Sequence, residues 1–317
     1  MTINDRLTSP PPHLRGDYST ARSMRDVILA MVPIILVTIY FNGPQAISLI
    51  AVSVITAMIT EVIFRKLMGK QPNLSDFSAV LTGLFVALVL PVAASPLRAI
   101  IATVIAVGIV KELMGGLGWN RFNPALFGYV ATIFLGSWMG FQQVGVAERE
   151  VDTISGATPL TLMHQGAEMP GYGELLLFSA NSGSLAEASA LAVIIGGAYL
   201  LYRHQINWYI PGVILATVLV LSFAFGVDPI YSILSGGVLF GAFFMATDWV
   251  TCPINNRGKI IFALGVGILI SLFRYVLPPT GGVAFSILIM NALTPLIEAQ
   301  TKHPSFAEPR SKSETAS

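Results

Sequence analysis

Long apolar stretches, separated by short polar or glycine- and proline-rich breaks, recur along the chain. They lie near 27–42, 46–64, 77–93, 97–113, 124–143, 187–202, 210–226, 229–246, 260–277 and 282–300. Each approaches the roughly 20 residues that a helix needs to cross about 30 Å of hydrocarbon. A chain inside a bilayer must pair its own backbone N–H and C=O groups, which a helix does within one segment. The pattern therefore predicts an all-α polytopic membrane protein with about ten transmembrane helices. The first stretch follows a polar tail containing Ser9-Pro10-Pro11-Pro12, and no small-residue cleavage site separates it from the second. It is expected to anchor the chain rather than be removed.

Composition agrees. Only 11% of the 317 residues are charged and 54% are hydrophobic, whereas a soluble domain carries about a quarter of its residues as charges. The implied surroundings are a lipid bilayer, and a formal net charge of +1 offers no bulk attraction to nucleic acid. Cys252 is the only cysteine, so the chain can neither close an internal disulfide nor hold an iron–sulfur cluster, which takes about four ligands. His13, His164, His204 and His303 share no ligand spacing, and no metal site is expected.

The position of the charges orients the bundle. Fifteen of the eighteen Lys and Arg residues fall in the two tails and in alternate loops, leaving only Arg98, Arg149 and Arg274 for the opposite face. Basic residues mark the cytoplasmic side, so both termini are predicted cytoplasmic. The organisation that follows is a cytoplasmic tail over 1–26, a five-span half over 27–143, an extracytoplasmic loop over 144–186, a second five-span half over 187–300 and a cytoplasmic tail over 301–317. The long loop is acidic, with Glu148, Glu150, Asp152, Glu168 and Glu174 against Arg149, and loops of such length usually carry function.

The halves echo each other. Phe77-Ser78-Ala79-Val80-Leu81-Thr82-Gly83-Leu84 matches Tyr231-Ser232-Ile233-Leu234-Ser235-Gly236-Gly237-Val238, and the region of Asn123-Pro124-Ala125 corresponds to that of Gly282-Val283-Ala284. Five spans separate the equivalent elements, so the copies would run in opposite directions. Such inverted repeats commonly build a site near the membrane midplane from broken helices. Glu61, an ionisable group inside the second span, reads as part of an ion or proton pathway, with Arg65 one turn away as a structural partner. Lys111 and Glu112 stand at a helix end, where they are expected to snorkel toward the interface.

The outer loop contains Asp152-Thr153-Ile154-Ser155-Gly156-Ala157-Thr158-Pro159-Leu160-Thr161. By composition this is an exposed turn, with Gly156 leaving room for another enzyme to approach and Pro159 stiffening the backbone beyond. In context, Ser155-Gly156-Ala157-Thr158 resembles the flavinylation motif of the RnfD family of Rnf electron transport complexes, which is similar to the NqrB component of the sodium-pumping NADH:quinone reductase. Gly115-Gly116-Leu117-Gly118-Trp119-Asn120-Arg121-Phe122-Asn123-Pro124-Ala125-Leu126 and Phe244-Met245-Ala246-Thr247-Asp248 resemble further segments of that family. Trp249 departs from it, because Pro often follows the Asp there.

The resemblance implies FMN joined to Thr158 through a phosphoester by a dedicated flavin transferase. It also implies a second, non-covalent flavin, riboflavin in the relatives, near the cytoplasmic half, with Asn120, Asn123 and Asp248 as the matching residues. The implied setting is a bacterial inner membrane, where iron–sulfur, flavin and membrane subunits of an Rnf-type complex couple ferredoxin/NAD electron transfer to Na+ or H+ movement. The chain would then be part of an oxidoreductase without catalytic residues of its own. The residues alone also allow Asn120 and Asn123 to cap the fifth span and Asp248 to end the eighth. A flavin-free channel or secondary transporter for a small solute is the alternative that an inverted repeat leaves open.

Overall fold

A computed structural model describes residues 19–139, 171–177, 183–276 and 281–301, with backbone only at 137–139. Among the described residues every regular element is helical. In chain order these are α1 (Thr20–Leu67), α2 (Ser78–Val89), α3 (Pro96–Val104), α4 (Pro124–Met139), α5 (Tyr172–Leu177), α6 (Ala190–Tyr202), α7 (Tyr209–Ala224), α8 (Pro229–Leu234), α9 (Val238–Phe240), α10 (Asn256–Tyr275) and α11 (Gly282–Thr301). α3 runs on as a π-helix over Ile105–Leu113, and α9 as one over Gly241–Met245. Local chemistry starts these elements. The side chains of Ser19, Ser95, Ser189, Asp228 and Asn255 each accept a backbone N–H of the following first turn, and Pro96 and Pro229 occupy a position where no amide hydrogen is needed.

α1 is 48 residues long, which at 1.5 Å per residue would give a rod of roughly 72 Å, far more than one bilayer crossing. It is two spans. Gly43 takes φ 53 and ψ −134, a conformation closed to side chains with a Cβ, and Pro44 follows. The break falls between the predicted stretches 27–42 and 46–64. α10 and α11 are each long and apolar enough to cross a membrane, while α2, α4, α6 and α7 are shorter apolar helices. The predicted span 229–246 is corrected: it is divided at Ser235-Gly236-Gly237, where both glycines have left-handed φ values of 64 and 71. Within the run 77–93 the helix ends at Val89, before Leu90-Pro91.

The outside of the bundle is apolar and the inside is partly polar. Leu36, Ile55, Ile59, Phe134, Val220, Phe223 and Leu296 are exposed. Buried Thr103, Ser222, Ser271, Ser286 and Thr294 instead donate to carbonyls one turn back in their own helices. This arrangement suits a multi-pass membrane protein, where surface side chains face lipid tails and interior hydroxyls find partners locally. Small residues let the helices approach: a Cβ on Gly128 of α4 or Gly196 of α6 would meet the carbonyl oxygen of Ala102 or Ala30. Gly128→Val and Gly196→Val are each expected to destabilise the fold by about 1–3 kcal/mol, read as a lower thermal unfolding temperature in detergent.

Apart from the division at Ser235-Gly236-Gly237, the breaks gather at the two ends of the bundle. At one end lie the start of α1, the loop between α1 and α2, the end of the Ile105–Leu113 π-helix, the start of α4 and the chain after Met245. At the other, Leu185 N–H donates to Leu90 O, Gln45 reaches Ala94 O, and the Tyr172 hydroxyl donates to Asp228.

Candidate functional site

The end that gathers α1, α2, α4 and the Gly241–Met245 π-helix encloses a cleft of about 810 Å³, counting the space that opens to solvent. Its apolar walls include Leu81, Phe85 and Phe244, and its polar lining includes Ser78, Lys111, Asn120, Asn123, Thr247 and Asp248. A cleft with mostly apolar walls and few converging polar groups is the usual form of a small-molecule or cofactor site. Asn120, Asn123 and Asp248 are thus brought together, although about 125 residues separate the pair from the acid. Thr158 lies outside the described residues, as do Asp152, Ser155 and Thr161.

Asn123 does two things at once. Its Oδ1 accepts the Leu126 N–H at 3.2 Å and so caps α4, while its Nδ2 donates to Met245 O at 3.2 Å and ties the first half to the π-helix of the second. The Asn123 N–H donates to Oδ1 of Asn291 at 3.1 Å, and Asn291 Nδ2 donates to Thr251 O at 3.2 Å. Asn291 of α11, only 1% exposed, therefore clamps both loops that line the cleft. Sequence reading missed it, although a lone amide in an apolar span is itself a signal of an interhelical bond. Asn291→Leu leaves an Asn123 N–H and a Thr251 carbonyl without this partner. It is expected to cost about 1–3 kcal/mol and to loosen any ligand in the cleft at least tenfold, measured by retention through gel filtration.

Asn120 is different. Its Nδ2 donates to Phe122 O at 3.1 Å, and its Oδ1 has no partner among the described residues, so an acceptor remains for an occupant of the cleft. Asp248 accepts the Val250 N–H and the Thr251 hydroxyl, both at 3.3 Å. Beside it, the indole N–H of Trp249 donates to Gln205 O at 2.7 Å. Gln205 Nε2 donates in turn to Asp26 Oδ2 at 2.8 Å, and Asp26 pairs with Arg203 at 3.1 Å, so the ring at the cleft is held from α1 and α6.

Glu61 is fully buried and meets Arg65 at 3.3 Å, the pairing expected from their spacing. The expectation that Lys111 and Glu112 snorkel is corrected. They are 2% and 1% exposed, and Lys111 Nζ donates to Glu61 Oε2 at 2.7 Å and to Ser78 Oγ at 2.6 Å. The π-helical turn carries Lys111 inward against α1 and α2 instead of outward to a headgroup layer.

Other predicted features supply no chemistry here. No cluster of His, Cys, Asp and Glu suited to a metal ion exists among the described residues. Burial pushes the Cys252 thiol up to about 12, so it stays protonated and unreactive at neutral pH.

The sequence pattern of the NQR2, RnfD, RnfE family matches residues 7–307, nearly the whole chain and every element around the cleft. The chain belongs to that family. Among curated relatives it is similar to the D component of the Na(+)-translocating ferredoxin:NAD(+) oxidoreductase complex of Acetobacterium woodii, 39% identical across 96% of both chains. It is also similar to the D component of the proton-translocating ferredoxin:NAD(+) oxidoreductase complex of Clostridium ljungdahlii, 38% identical over 95% of this chain and 96% of that one. The D component of the ion-translocating oxidoreductase complex of Haemophilus influenzae is 35% identical over 92% and 95%. For this member of the NQR2, RnfD, RnfE family, the cleft, the buried ion pairs and the apolar exterior occupy a single continuous fold.

Proposed function

We propose that this chain is the D component of an ion-translocating ferredoxin:NAD+ oxidoreductase complex, coupling electron transfer to movement of Na+ or H+. On this reading it carries FMN covalently on Thr158 and binds a second, non-covalent flavin such as riboflavin in the cleft. The observation that carries the cleft assignment is the convergence of Asn120, Asn123 and Asp248, from both halves of the chain, on one pocket.

The lining fits the group. The cleft opens to solvent, and mostly apolar walls with a few converging amide, hydroxyl and charged groups are the form a cofactor site takes. Phe85 and Phe244 offer aromatic and apolar surface, and the free Oδ1 of Asn120 can accept from a ring N–H. Asn123, locked by Met245 and Asn291, keeps the pocket floor in place. Trp249, held by Gln205, adds a fixed aromatic ring to the lining. A bound flavin supplies one-electron transfer; the chain contributes position, exclusion of water and local charge.

The reading places the termini and the cleft on the cytoplasmic side of a bacterial inner membrane and the Thr158 loop on the opposite side. Its support is the bias of basic residues toward the tails and alternate loops. The inverted five-span repeat belongs to the same proposal. What favours it is a paired feature: Lys111, closing one fourth span, bonds Ser78, while Arg274, closing the other, bonds the carbonyl of the matching Ser232. Iron–sulfur and flavin subunits are the partners that would deliver and remove electrons, and a flavin transferase would mature Thr158.

The test is a flavin inventory on this full chain, separated from the other flavin subunits, from a host that contains the transferase. Acid precipitation is expected to give a yellow pellet in which this chain fluoresces on a denaturing gel, and about one equivalent of flavin per chain in the supernatant. A colourless pellet together with a flavin-free supernatant would overturn the proposal and favour a flavin-free transporter.

A further inference from the structure

Lys111 stands between the cleft and the buried carboxylate. It is the only cation among the described residues lining the cleft, where Asp248 is the only acid. It is also the nearest counter-ion of Glu61, at 2.7 Å. An ammonium group has three N–H donors. Glu61 and Ser78 take two, and the third has no partner among the described residues. Ser78, which fixes the ammonium at 2.6 Å, lines the cleft as well.

The rest of the cluster is not fully paired. Arg65 meets Glu61 at 3.3 Å and approaches Glu112 at 3.8 Å, yet Arg65 Nε and Glu112 Oε2 are both buried without a hydrogen bond. A fully satisfied buried network is rigid, whereas a partly satisfied one has a donor and an acceptor to gain by rearranging. The cluster also sits on the π-helical turn Ile105–Leu113, a geometry frequent at functional sites.

We propose that Lys111 is a positioning residue shared between Glu61 and the occupant of the cleft, so that the charge of the occupant sets whether Glu61 needs another cation. The inference rests on the second-flavin reading. One electron delivered by the iron–sulfur carriers of the complex adds one negative charge to the occupant. The Lys111 ammonium turns toward that charge and away from Glu61. One Na+ or H+ takes its place at the carboxylate, so one electron and one cation enter together and the net charge of the site is unchanged. When the electron passes to the next carrier, Lys111 returns and the cation is displaced. No covalent bond is made or broken.

The experiment is a redox titration of the releasable flavin of this full chain, separated from the other flavin subunits, at several Na+ concentrations at fixed pH and at several pH values at fixed Na+. Wild type is expected to show a midpoint potential that rises with the transported cation by up to about 59 mV for each tenfold increase, the one-electron equivalent. Lys111→Met is expected to lower the potential and abolish the cation dependence, and Lys111→Arg to keep both near wild type. Glu61→Gln keeps the ammonium beside the cleft without its competitor, and is expected to raise the potential and also abolish the dependence. Lys111→Met with wild-type potential and slope would overturn the proposal. Should Lys111→Met fail to hold flavin, an unchanged potential and slope in Glu61→Gln would overturn it equally. A wild-type chain with no releasable flavin would remove the cofactor reading itself, and this inference with it.

Discussion

Arg274→Met is expected to prevent the protein from accumulating in a folded, extractable form. Arg274 ends α10 and is 2% exposed, and its guanidinium donates to Ser232 O, to Ser235 O at 2.7 Å and to Gly236 O at 3.0 Å. Those carbonyls belong to the last turn of α8 and to the break before α9, where the helix supplies no further N–H donors. Methionine offers no N–H to take the place of the guanidinium. Each carbonyl left without a partner costs about 1–3 kcal/mol, so the three together are a large part of a typical folding free energy of about 5–15 kcal/mol. The planar fork of arginine can serve several carbonyls at once, and the compact ammonium of lysine cannot match it. Arg274→Lys should therefore recover only part of the loss. Yield after detergent extraction and the thermal transition of the purified protein are the measurements. An Arg274→Met protein with wild-type yield and transition would show that the α8–α9 break does not depend on this residue.

The helices are legible in the sequence because a bilayer forces each apolar run to become one. Gly43-Pro44 divides α1 where a polar and conformationally permissive stretch already separates two runs. The division at Ser235-Gly236-Gly237 is harder to see, because the hydropathy of 229–246 barely falls across it. Hydropathy reports burial in lipid or protein and is silent about a helix that stops halfway. The stop is stabilised by Arg274, some forty residues later, which no local pattern records.

The same distance problem governs the site. Lys111 next to a glycine-rich loop has the sequence signature of a snorkelling lysine, and what makes it a buried one is Glu61, fifty residues earlier. Asn120, Asn123 and Asp248 are legible only through resemblance to a family, since amides and a carboxylate at those separations have no spacing of their own. The structure adds what resemblance does not contain: the clamp by Asn291, the free acceptor on Asn120 and the tether from Trp249 through Gln205 to Asp26. In the sequence Trp249 is only a departure from the family pattern. Its bonded indole makes that departure a structural element of the cleft lining.

Thr158→Ala is expected to abolish covalent flavin completely while leaving the cleft flavin in place. A phosphoester needs a hydroxyl oxygen, and alanine has none, so the loss should be all or none. Three other hydroxyls, Thr153, Ser155 and Thr161, stand within five residues on the same loop. If the transferase reads only an exposed flexible turn, one of them would be modified instead, and fluorescence of the denatured chain would persist. If it reads the Ser-Gly-Ala-Thr order, the chain should be dark in Thr158→Ala, and Ser155→Ala should retain a flavin on Thr158. Intact mass of the chain separates these outcomes, because one FMN ester either is or is not present. The supernatant flavin after acid precipitation should stay near one equivalent in Thr158→Ala, since Asn120, Asn123 and Asp248 lie at the other end of the bundle from the Arg98 and Asp228 end where the loop begins and returns. Electron transfer through the assembled complex should then fall by several orders of magnitude, because a tethered carrier cannot be replaced by a freely diffusing one at comparable effective concentration. Wild-type ion transport in a dark Thr158→Ala complex would separate ion movement from this flavin altogether.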